Sequence, residues 1–500
     1  MNIKQAKIQI ANTLRAYLSR DELGNYLIPP VRQRPVLLMG APGIGKTQIM
    51  EQIASEEGVG LIAYTITHHT RQSAIGLPFI EKRVYGGVEY NITEYTMSEI
   101  IGSVYNLMEK TGIKEGILFL DEINCVSETL APMMLQFLQC KTFGNQKLPE
   151  GWLIVAAGNP PEYNRSVRDF DVVTLDRVKR INVEEDFGVW KEYALKKGLH
   201  GAVVSYLDIK KENFYRIENT PDGMQFATAR GWEDLSELLF AYEKLDISAD
   251  FSVIEQYIQL PAVARDFANY LALYHKYQQT YHVEEILSGS WPKTIESEFA
   301  AAPFDEKLSV MGLLYSRLSE ASCQTHRQDS LADLLHAALL ELKNTAADDP
   351  LSAMETILKT RRETIKRASD AGQGDKALRD LRILELNSLE DYEALLRKQG
   401  CQTSDEAIAE LKPLFAGEVE TRKDLAERTG AMFENAFSFL EKAVGQGQEI
   451  VLFVTEITAG YDSSWFVENF GCEAYFRHNS ELLFNDTRRK IVEKIVSARQ

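Results

Sequence analysis

The sequence predicts an α/β fold for about the first 190 residues and a mostly helical structure for the rest of the 500-residue chain. In the first part, short apolar segments alternate with stretches of helical periodicity, which is typical of a parallel sheet covered by helices. In the last part, Leu, Ala, Glu, Lys and Arg recur at helical spacing. A chain of this length is expected to contain more than one domain.

The predicted strands of the first part are four dense apolar segments, each bounded by helical or turn residues. They are PVLLMG (35–40), LIAYTI (61–66), ILFLD (117–121) and WLIVAAG (152–158). Helical patterns such as KTQIMEQIASEEG and SETLAPMMLQFLQ lie between them. Two hairpins are also expected. KRVYGGVEYNITEY has a Gly86-Gly87 turn between β-rich arms, and KTFGNQKLPEGW carries turn residues between strand-like flanks.

The pattern turns mostly helical from about residue 187 and is broken near residue 290, where LSGSWPK contains Gly, Ser and Pro. Further on, SDAGQGDK (369–376) is expected to be a loop. EIVLFVTEITAG (449–460) fits either a strand or a buried helix, because periodicity does not separate the two in a short apolar run. The basic run TILKTRRETIKR (356–367) is interpreted as the solvated face of a helix.

Composition and charge weigh against several classes of function. The formal net charge of −18 argues against nonspecific nucleic-acid binding as the main activity. Five scattered cysteines without a C-x-x-C pair predict free thiols in a reducing cytoplasm rather than a zinc site. The charged N-terminal segment is predicted to be an amphipathic helix and not a signal peptide. The sequence has no run of about 18 consecutive apolar residues, so no membrane span is predicted.

The segment GAPGIGKT, residues 40–47, has the composition of a phosphate-binding loop. It follows an apolar strand and opens a helix, so its glycines let backbone N–H groups turn toward phosphate oxygens at the positive end of the helix dipole. Lys46 is expected to reach the β- and γ-phosphates, and the Thr47 hydroxyl is expected to bind Mg²⁺. The predicted nucleotide-binding residues are Gly40, Ala41, Pro42, Gly43, Ile44, Gly45, Lys46, Thr47 and Gln48.

Two adjacent carboxylates, Asp121 and Glu122, come at the end of a second buried strand. If that strand lies beside the one that precedes the phosphate loop, Asp121 reaches the Mg²⁺ shell, usually through water. Glu122 is then placed to polarise an attacking water as a general base. The following strand, WLIVAAGN, ends at Asn159, whose amide is predicted to bond both the γ-phosphate and that water.

These motifs, in this order, resemble AAA+ ATPases and, more narrowly, the MoxR-type and dynein-related branch. The segments that carry the resemblance are GAPGIGKT, LFLDEIN, AAGNPPEYN and LDRVKRI. IGLPFIEKRVYGGVEYNITEY resembles the branch's extra hairpin in helix 2, and CKTFGNQKLPEG resembles the hairpin before the sensor strand. The resemblance covers about residues 1–290. It implies a P-loop NTPase αβα core over 1–186 and an α-helical lid over 187–290. For residues 291–500 it is the helical spacing that predicts a mostly helical C-terminal extension, which could bind a partner.

The same resemblance implies two functional arginines. Arg177, in TLDRVKRI, matches the finger that acts in the neighbouring subunit's site, although Val178 stands where the family usually has Phe. Arg180 and Arg168 are the alternative candidates for the finger. The alternative role for Arg177 is a structural salt bridge. Arg230, in TARGWE, matches the second sensor arginine of a motif reading roughly S-P-R-x-W-E, without its Pro and with Gly231 weakening the helix start.

A switch residue is expected near the end of the second strand, where Thr65, Thr67, His68 and His69 are the candidates. The resemblance implies a Mg²⁺-dependent ATPase that forms a ring, most commonly a hexamer. It also implies remodelling of a protein client, often with a von Willebrand A domain partner. Two other classes stay open: a nucleic-acid-dependent motor, and a regulatory scaffold that binds nucleotide with little turnover.

Overall fold

The computed structural model describes residues 1–68, 70, 72, 74, 76–143, 146–163, 170–220, 223–345, 349–372 and 376–480. The chain divides into two compact units. The first comprises Met1–Asp186 together with Lys359–Arg382, and the second comprises Phe187–Leu358 and the chain from Ile383 onward. The division into three domains drawn from the sequence stays a prediction.

A five-stranded parallel sheet forms the centre of the first unit. Its strands lie in the order β2-β5-β8-β1-β9, and every pairing between neighbours is parallel. The predicted fold class is therefore confirmed. The strands are β1 (Val36–Gly40), β2 (Gly60–Thr65), β5 (Gly116–Asp121), β8 (Trp152–Gly158) and β9 (Lys179–Val183).

Strand β9 was not among the predicted strands, and its composition explains why. Lys179, Arg180 and Asn182 interrupt the apolar pattern, so only Ile181 and Val183 are buried. A strand at the edge of a sheet is exposed along one side and tolerates polar residues there. Its pairing with β1 places it one strand away from the phosphate loop.

Helices cover the sheet. Helix α1 begins with a capping box in which the Asn2 side chain accepts from the Gln5 N–H, and it buries Ala6, Ile10 and Leu14, as the amphipathic pattern predicts. The other helices of the first unit lie between the strands. Their bounds, with α1, are Ile3–Leu18 (α1), Lys46–Glu57 (α2), Glu99–Thr111 (α3), Ala131–Cys140 (α4) and Val172–Arg177 (α5), with short 3₁₀ helices at Pro30–Arg32 and Ile66–His68.

Two hairpins interrupt the alternation where the sequence predicts them. Strands β3 (Pro78–Tyr85) and β4 (Val88–Tyr95) are antiparallel and pair Tyr85 with Val88 across a two-residue turn. Gly86 and Gly87 have φ of 60° and 85° there, which glycine adopts without strain. Strands β6 (Thr142–Phe143) and β7 (Gln146–Lys147) form the second hairpin, whose residues 144 and 145 lie outside the described residues.

The second unit is built almost entirely of helices. They are Phe187–Lys197 (α6), Gly201–Ile209 (α7), Ala229–Lys244 (α8), Phe251–Ile254 (α9), Pro261–Thr280 (α10), Val283–Ser288 (α11), Lys293–Ala301 (α12), Phe304–Thr345 (α13), Pro350–Asp370 (α14), Lys376–Gln399 (α15), Ser404–Val444 (α16), Gln448–Ala459 (α17) and Tyr461–Phe470 (α18). The middle of the α14–α15 pair, Lys359–Arg382, is grouped with the first unit. None of the helices formed by the described residues is long and apolar enough to cross a bilayer.

Three segments of the helical region can be compared with their sequence-based predictions. The ambiguous segment at 449–460 is helical, as α17, and buries Ile450, Phe453, Val454 and Ile457 on one face. The basic run at 356–367 lies in α14. Its Ile357 and Leu358 are buried and its basic residues are exposed or half-buried, as expected for a helix with one solvated face. The predicted loop at 369–376 falls at the break between α14 and α15, and its residues 373–375 lie outside the described residues.

One hairpin in this unit was not predicted. Strands β10 (Arg216–Thr220) and β11 (Gly223–Ala227) are antiparallel, within a stretch for which the sequence pattern indicated helices. Trp232 of α8 is fully buried and donates from its indole nitrogen to the carbonyls of Asn213 and Phe214, 3.2 and 3.1 Å away. The start of α8 is thereby fixed to the segment just before the hairpin.

Candidate nucleotide-binding site

The phosphate loop connects β1 to α2 at the carboxyl end of the sheet. Gly43 and Gly45 have φ of 74° and 90°, a backbone conformation that residues with a Cβ rarely adopt. A Cβ at Gly40 would lie 2.6 Å from the Val183 carbonyl oxygen, so β1 and β9 approach closely at this point. The loop therefore needs glycine at all three predicted positions, and α2 begins directly after it, at Lys46.

Lys46 is buried, with 8% of its surface exposed. Its ammonium group donates to the carbonyl oxygens of Gly40 and Ala41, both at 2.8 Å, and to Oδ1 of Asn159, also at 2.8 Å. A buried ammonium group needs such acceptors because leaving water is costly for a charge. The contact joins the phosphate loop to the residue that follows β8.

Thr47 and Asp121 also lie together. The Thr47 hydroxyl donates to Oδ2 of Asp121 over 3.2 Å, and Oδ1 of Asp121 accepts from the Glu122 N–H at 2.9 Å. Both carboxylates are half-buried. Glu122 has φ of 57°, in the left-handed region that is uncommon for a residue with a side chain. The two adjacent acids have different side-chain partners, because Asp121 accepts from Thr47 and Glu122 accepts from Thr67.

Among the candidate switch residues, Thr67 contacts the paired acids. Its hydroxyl donates to Oε2 of Glu122 over 2.8 Å from the 3₁₀ helix that follows β2. Thr65 lies at the end of β2 and is paired in register with Asp121. His68 ends the 3₁₀ helix, and His69 lies outside the described residues.

Asn124 is a site residue that the sequence reasoning did not assign. It is buried, with 3% of its surface exposed, and its side-chain amide donates to the Asn159 carbonyl over 2.8 Å. A Cβ at Gly158 would lie 2.6 Å from Asn124 Oδ1, so the small residue before Asn159 makes room for it. Ile123 N–H also bonds the Ala157 carbonyl at 2.9 Å. The segment after the acids therefore fixes the end of β8.

A cavity of about 530 Å³ lies beside this loop. It is lined by residues from the ends of β1 and β9 and from the segment that follows Asn159. Burial raises the pKa of Tyr163, one of the lining residues. Gly40, Ala41, Pro160, Tyr163, Arg180 and Asn182 are among its lining residues.

Arg177 is the last residue of α5 and is exposed to solvent. Its guanidinium donates to the side-chain oxygen of Gln139. Asp171 caps the start of the same helix by accepting from the Thr174 N–H at 2.8 Å, and this hydrogen bonding lowers the pKa of Asp171. Arg180 lies on β9 and donates to Oδ1 of Asn182 over 2.9 Å. Arg168 lies outside the described residues.

Arg230 belongs to the second unit, where it is exposed near the start of α8. Thr228 caps this helix by accepting from the Gly231 N–H at 3.2 Å. A Cβ at position 231 would lie 2.7 Å from the Tyr257 carbonyl oxygen, so Gly231 is required by a close backbone approach. Glu233, two residues further on, accepts from the Tyr193 hydroxyl at 2.8 Å. The Trp-Glu part of the motif thus has packing partners of its own.

The donor set suits Mg²⁺ together with a phosphate substrate. Hydroxyl and carboxylate oxygens are its preferred ligands, and Mg²⁺ is usually held by one or two carboxylates plus substrate phosphates. Thr47 and Asp121 supply such oxygens beside the phosphate loop. Among the described residues, no group of three or more His, Cys, Asp and Glu side chains is placed to hold a metal by itself. All five cysteines are free thiols.

Comparison with known proteins agrees with this geometry. Residues 36–174 match the family described as ATPase family associated with various cellular activities (AAA). The crystal structure of a putative ATPase from Cytophaga hutchinsonii ATCC 33406 aligns at 17% identity and a TM-score of 0.22. That alignment covers 37% of this chain and 50% of the other, so this chain spans half the length of that protein. No curated protein matches the chain. The family match spans the phosphate loop, the paired acids and Asn159, so residues 36–174 are similar to the AAA ATPase family over the part of the chain that forms this site.

Proposed function

We propose that the protein hydrolyses ATP with Mg²⁺ at the carboxyl edge of the parallel sheet and uses the energy to remodel another protein. The observation that carries the proposal is the set of hydrogen bonds that links three motifs far apart in the sequence. Lys46 bonds Asn159, Thr47 bonds Asp121, and Glu122 follows directly. Groups that bind phosphate, metal and water are thus held within one connected site.

Each residue has a role that follows from its chemistry. The N–H groups of the loop and the N-terminus of α2 favour the negative phosphates, and Lys46 adds a full positive charge. On binding substrate, Lys46 exchanges its carbonyl acceptors for phosphate oxygens. Glu122 takes the proton of the attacking water as general base. Asn159, held by Lys46 and Asn124, orients that water and the γ-phosphate.

Mg²⁺ would be held by the Thr47 hydroxyl and, through water, by Asp121, and it would neutralise charge on the β- and γ-phosphates. Asp121 itself is oriented by the Thr47 hydroxyl and the Glu122 N–H, which leaves its carboxylate directed at the loop. Its neighbour Glu122 keeps a separate direction because of its left-handed backbone. The two acids therefore divide the work between metal and water.

A second copy of the chain would complete the site. Arg177 is exposed and charged, and a guanidinium stabilises the charge that develops on the transferred phosphoryl group. We propose that Arg177 acts in the neighbouring subunit, that Arg230 contacts the nucleotide from the lid, and that the subunits form a ring, as a hexamer. Exposed Val172 and Val173 on the same short helix, 82% and 56% accessible, give that face apolar surface for such a contact.

The choice of MoxR-type work rests on the hairpins and on the D-E-I-N stretch. Strands β3 and β4 form a hairpin between β2 and α3, and Asn124 of D-E-I-N is bonded to Asn159. We propose protein remodelling, as chaperone-like assembly or metal insertion, with a von Willebrand A domain partner. A nucleic-acid-dependent motor is the second candidate class, and the net charge of −18 weighs against it. A scaffold with little turnover is the third, and Glu122, Asn159 and Arg230 together weigh against it.

The experiment is to compare wild type with Glu122→Gln in ATP binding and in phosphate release. The amide keeps the size and backbone of Glu122 but does not accept a proton, so binding should persist while turnover falls by about 100-fold or more. Turnover that is unchanged in Glu122→Gln would remove Glu122 from the role of base. The matched control is Glu150→Gln, an exposed residue in the turn before β8, which should behave as wild type.

The same variant tests the client. Because Glu122→Gln should hold ATP without hydrolysis, an affinity pull-down in ATP should retain client and partner on the ring, and ADP should release them. A von Willebrand A domain protein that is retained in ATP and released by ADP supports the proposed protein remodelling. ATPase turnover that rises with DNA and falls steeply with salt would favour the motor instead.

A further inference from the structure

Strand β2 is the outermost strand of the sheet on the side opposite β9, and its outer edge is bonded by a distant part of the chain. The Leu61 N–H donates to the carbonyl of Ala371 over 3.0 Å. Ala371 is fully buried and lies in the turn that ends helix α14, which is grouped with the first unit. We call Ala371–Gly372 the edge turn.

The edge turn packs so closely against β2 that a side chain at position 372 would clash with the strand. Gly372 has φ of 71°, and a Cβ there would lie 2.6 Å from the Leu61 carbonyl oxygen and 3.5 Å from the Leu61 Cβ. The 2.6 Å neighbour is backbone, which cannot rotate away as a side chain does. Leu61 thus meets the edge turn through both its N–H and its carbonyl, so the position of one determines the position of the other.

Strand β2 leads from this contact to the paired acids. From Leu61 to Thr65 the strand rises roughly 13 Å, paired along its length with β5, so that Thr65 lies opposite Asp121. The chain then enters the 3₁₀ helix Ile66–His68, whose Ile66 is fully buried. Thr67 in that helix donates to Glu122. A displacement of β2 along or across the sheet therefore reaches the carboxylate of Glu122 through one hydrogen bond.

We propose that the edge turn is a positioning element for ATP hydrolysis, which couples the C-terminal helices to Glu122 through β2 and Thr67. Helices α14 and α15 flank the turn, and both belong to the C-terminal extension. A partner that moves these helices then changes the orientation of Glu122 without touching the nucleotide. The inference rests on the proposed role of Glu122 as general base.

A purely structural role for the edge turn makes different predictions. An unpaired strand edge invites association with other chains, and covering it is a common function of a turn or loop. In that case, disturbing the turn lowers the melting temperature or promotes aggregation and leaves the chemistry of folded molecules unchanged. Coupling instead changes kcat in protein that is folded, and it does so through Thr67.

The first test is Gly372→Ala, with Gly400→Ala as the matched control. Both glycines end helices with similar φ, 71° and 67°, but a Cβ at Gly400 would meet nothing within 4 Å. The backbone strain is therefore alike, and only Gly372→Ala pushes on Leu61. We expect Gly372→Ala to lower kcat about threefold to tenfold with KM for ATP within about twofold, and Gly400→Ala to keep wild-type kcat. Equal kcat in the two variants would overturn the inference.

A double-mutant cycle then tests the route. If the effect passes through Thr67, Gly372→Ala in a Thr67→Val background should change kcat by less than about 1.5-fold, because the link is already broken. If the kcat of the double variant falls by the product of the two single-variant effects, the two residues act independently, and the route through Thr67 is contradicted. If Glu122→Gln keeps wild-type turnover, the proposed role of Glu122 as general base fails, and this inference fails with it. If Glu122→Gln is inactive but Gly372→Ala matches its control, only the present inference fails.

Hydrogen exchange in the wild-type protein provides a test that needs no variant. Coupling is reciprocal, so filling the nucleotide site must also act on the edge turn. We expect saturating adenylyl imidodiphosphate with Mg²⁺ to change the exchange rate of the Leu61 amide by about threefold or more. The Gly60 amide, which bonds the Glu115 carbonyl at 2.9 Å on the inner side of β2, is the internal control. Equal changes at Leu61 and Gly60 would overturn the coupling.

Discussion

The hydroxyl of Thr67 donates a 2.8 Å hydrogen bond to Oε2 of Glu122, and it comes from the 3₁₀ helix that follows an edge strand. A carboxylate held at one oxygen has a defined orientation for the other. Glu122 also has a left-handed backbone, with φ of 57°, so the direction of its side chain is set by this turn of the chain together with the bond to Thr67. Among the candidate switch side chains that the structure describes, Thr67 is thus hydrogen-bonded to the proposed base.

Thr67→Val is therefore expected to lower kcat by about tenfold with KM for ATP within about twofold, since it removes the hydroxyl at nearly constant volume. Steady-state phosphate release measures both constants. Thr65→Val is the control, because Thr65 is an exposed β-branched residue two positions earlier. Equal losses in both variants would show that the segment as a whole matters and not the bond to Glu122.

The sheet was predictable where burial is complete. All seven residues of β8 are buried, so an uninterrupted apolar run marks the strand from end to end. Strand β9 was missed because its edge position allows cations within it. The β10–β11 hairpin was missed because its residues are half-exposed and polar, as in RIENT, and carry no clear period of two. Tertiary pairing decides such segments, and a single sequence does not contain it.

The site was predictable to the extent that its motifs are local. The phosphate loop carries its own glycines and its own helix start, so residues 40–47 suffice to indicate it. The bond from Asn124 to Asn159 joins residues 35 positions apart, and nothing in D-E-I-N alone announces it. Likewise, four polar residues near the end of β2 were equivalent in the sequence. Only the folded 3₁₀ helix places Thr67 against Glu122.

Gly231 is expected to be required for stability and not merely tolerated. Gly231→Ala places a Cβ 2.7 Å from the Tyr257 carbonyl oxygen, and overpacking of this kind costs about 1–3 kcal/mol. Gly417→Ala is the control, because it lies inside α16 with nothing within 4 Å of its Cβ. Helix propensity alone favours Ala over Gly there by about 1 kcal/mol. The melting temperature should fall for Gly231→Ala, and it should rise or stay unchanged for Gly417→Ala.

Lys141 makes the stability of the first unit dependent on pH. Burial, with a contribution from nearby Lys147, lowers the pKa of Lys141 to about 8 from an unfolded value of 10.5. The folded protein therefore binds this proton less tightly than the unfolded chain, so folding is penalised most below pH 8, and the penalty fades as pH rises toward 10.5. Lys141→Met removes the penalty.

The expected result is that Lys141→Met melts above wild type at pH 7 and that the gap closes as the pH approaches 10.5. Both residues have long unbranched side chains, and both variants share the positive φ of 55° at this position, so strain is unchanged. Lys110→Met, at an exposed position near the end of α3, is the control for replacing a lysine by methionine. A gap that stays constant across this range would contradict the assigned pKa.

The proposed sharing of a site between two subunits predicts that inactive variants complement each other. Glu122→Gln lacks the base but keeps Arg177, and Arg177→Ala lacks the guanidinium but keeps Glu122. In a randomly mixed ring, about a quarter of the interfaces contain both intact residues, so an equimolar mixture should regain up to about a quarter of wild-type turnover. Each variant alone should stay near background.

Mixing should restore nothing if Arg177 acts within its own subunit, because no subunit in the mixture then has both residues. The mixture must be assembled from dissociated subunits, and ring size before and after mixing is checked by light scattering. Arg180→Ala, on β9, is carried through the same protocol. If Arg180→Ala alone is inactive and complements Glu122→Gln while Arg177→Ala keeps its turnover, the finger is Arg180. If Arg177→Ala complements Glu122→Gln and Arg180→Ala does not, the arginine finger is Arg177, at the exposed end of α5.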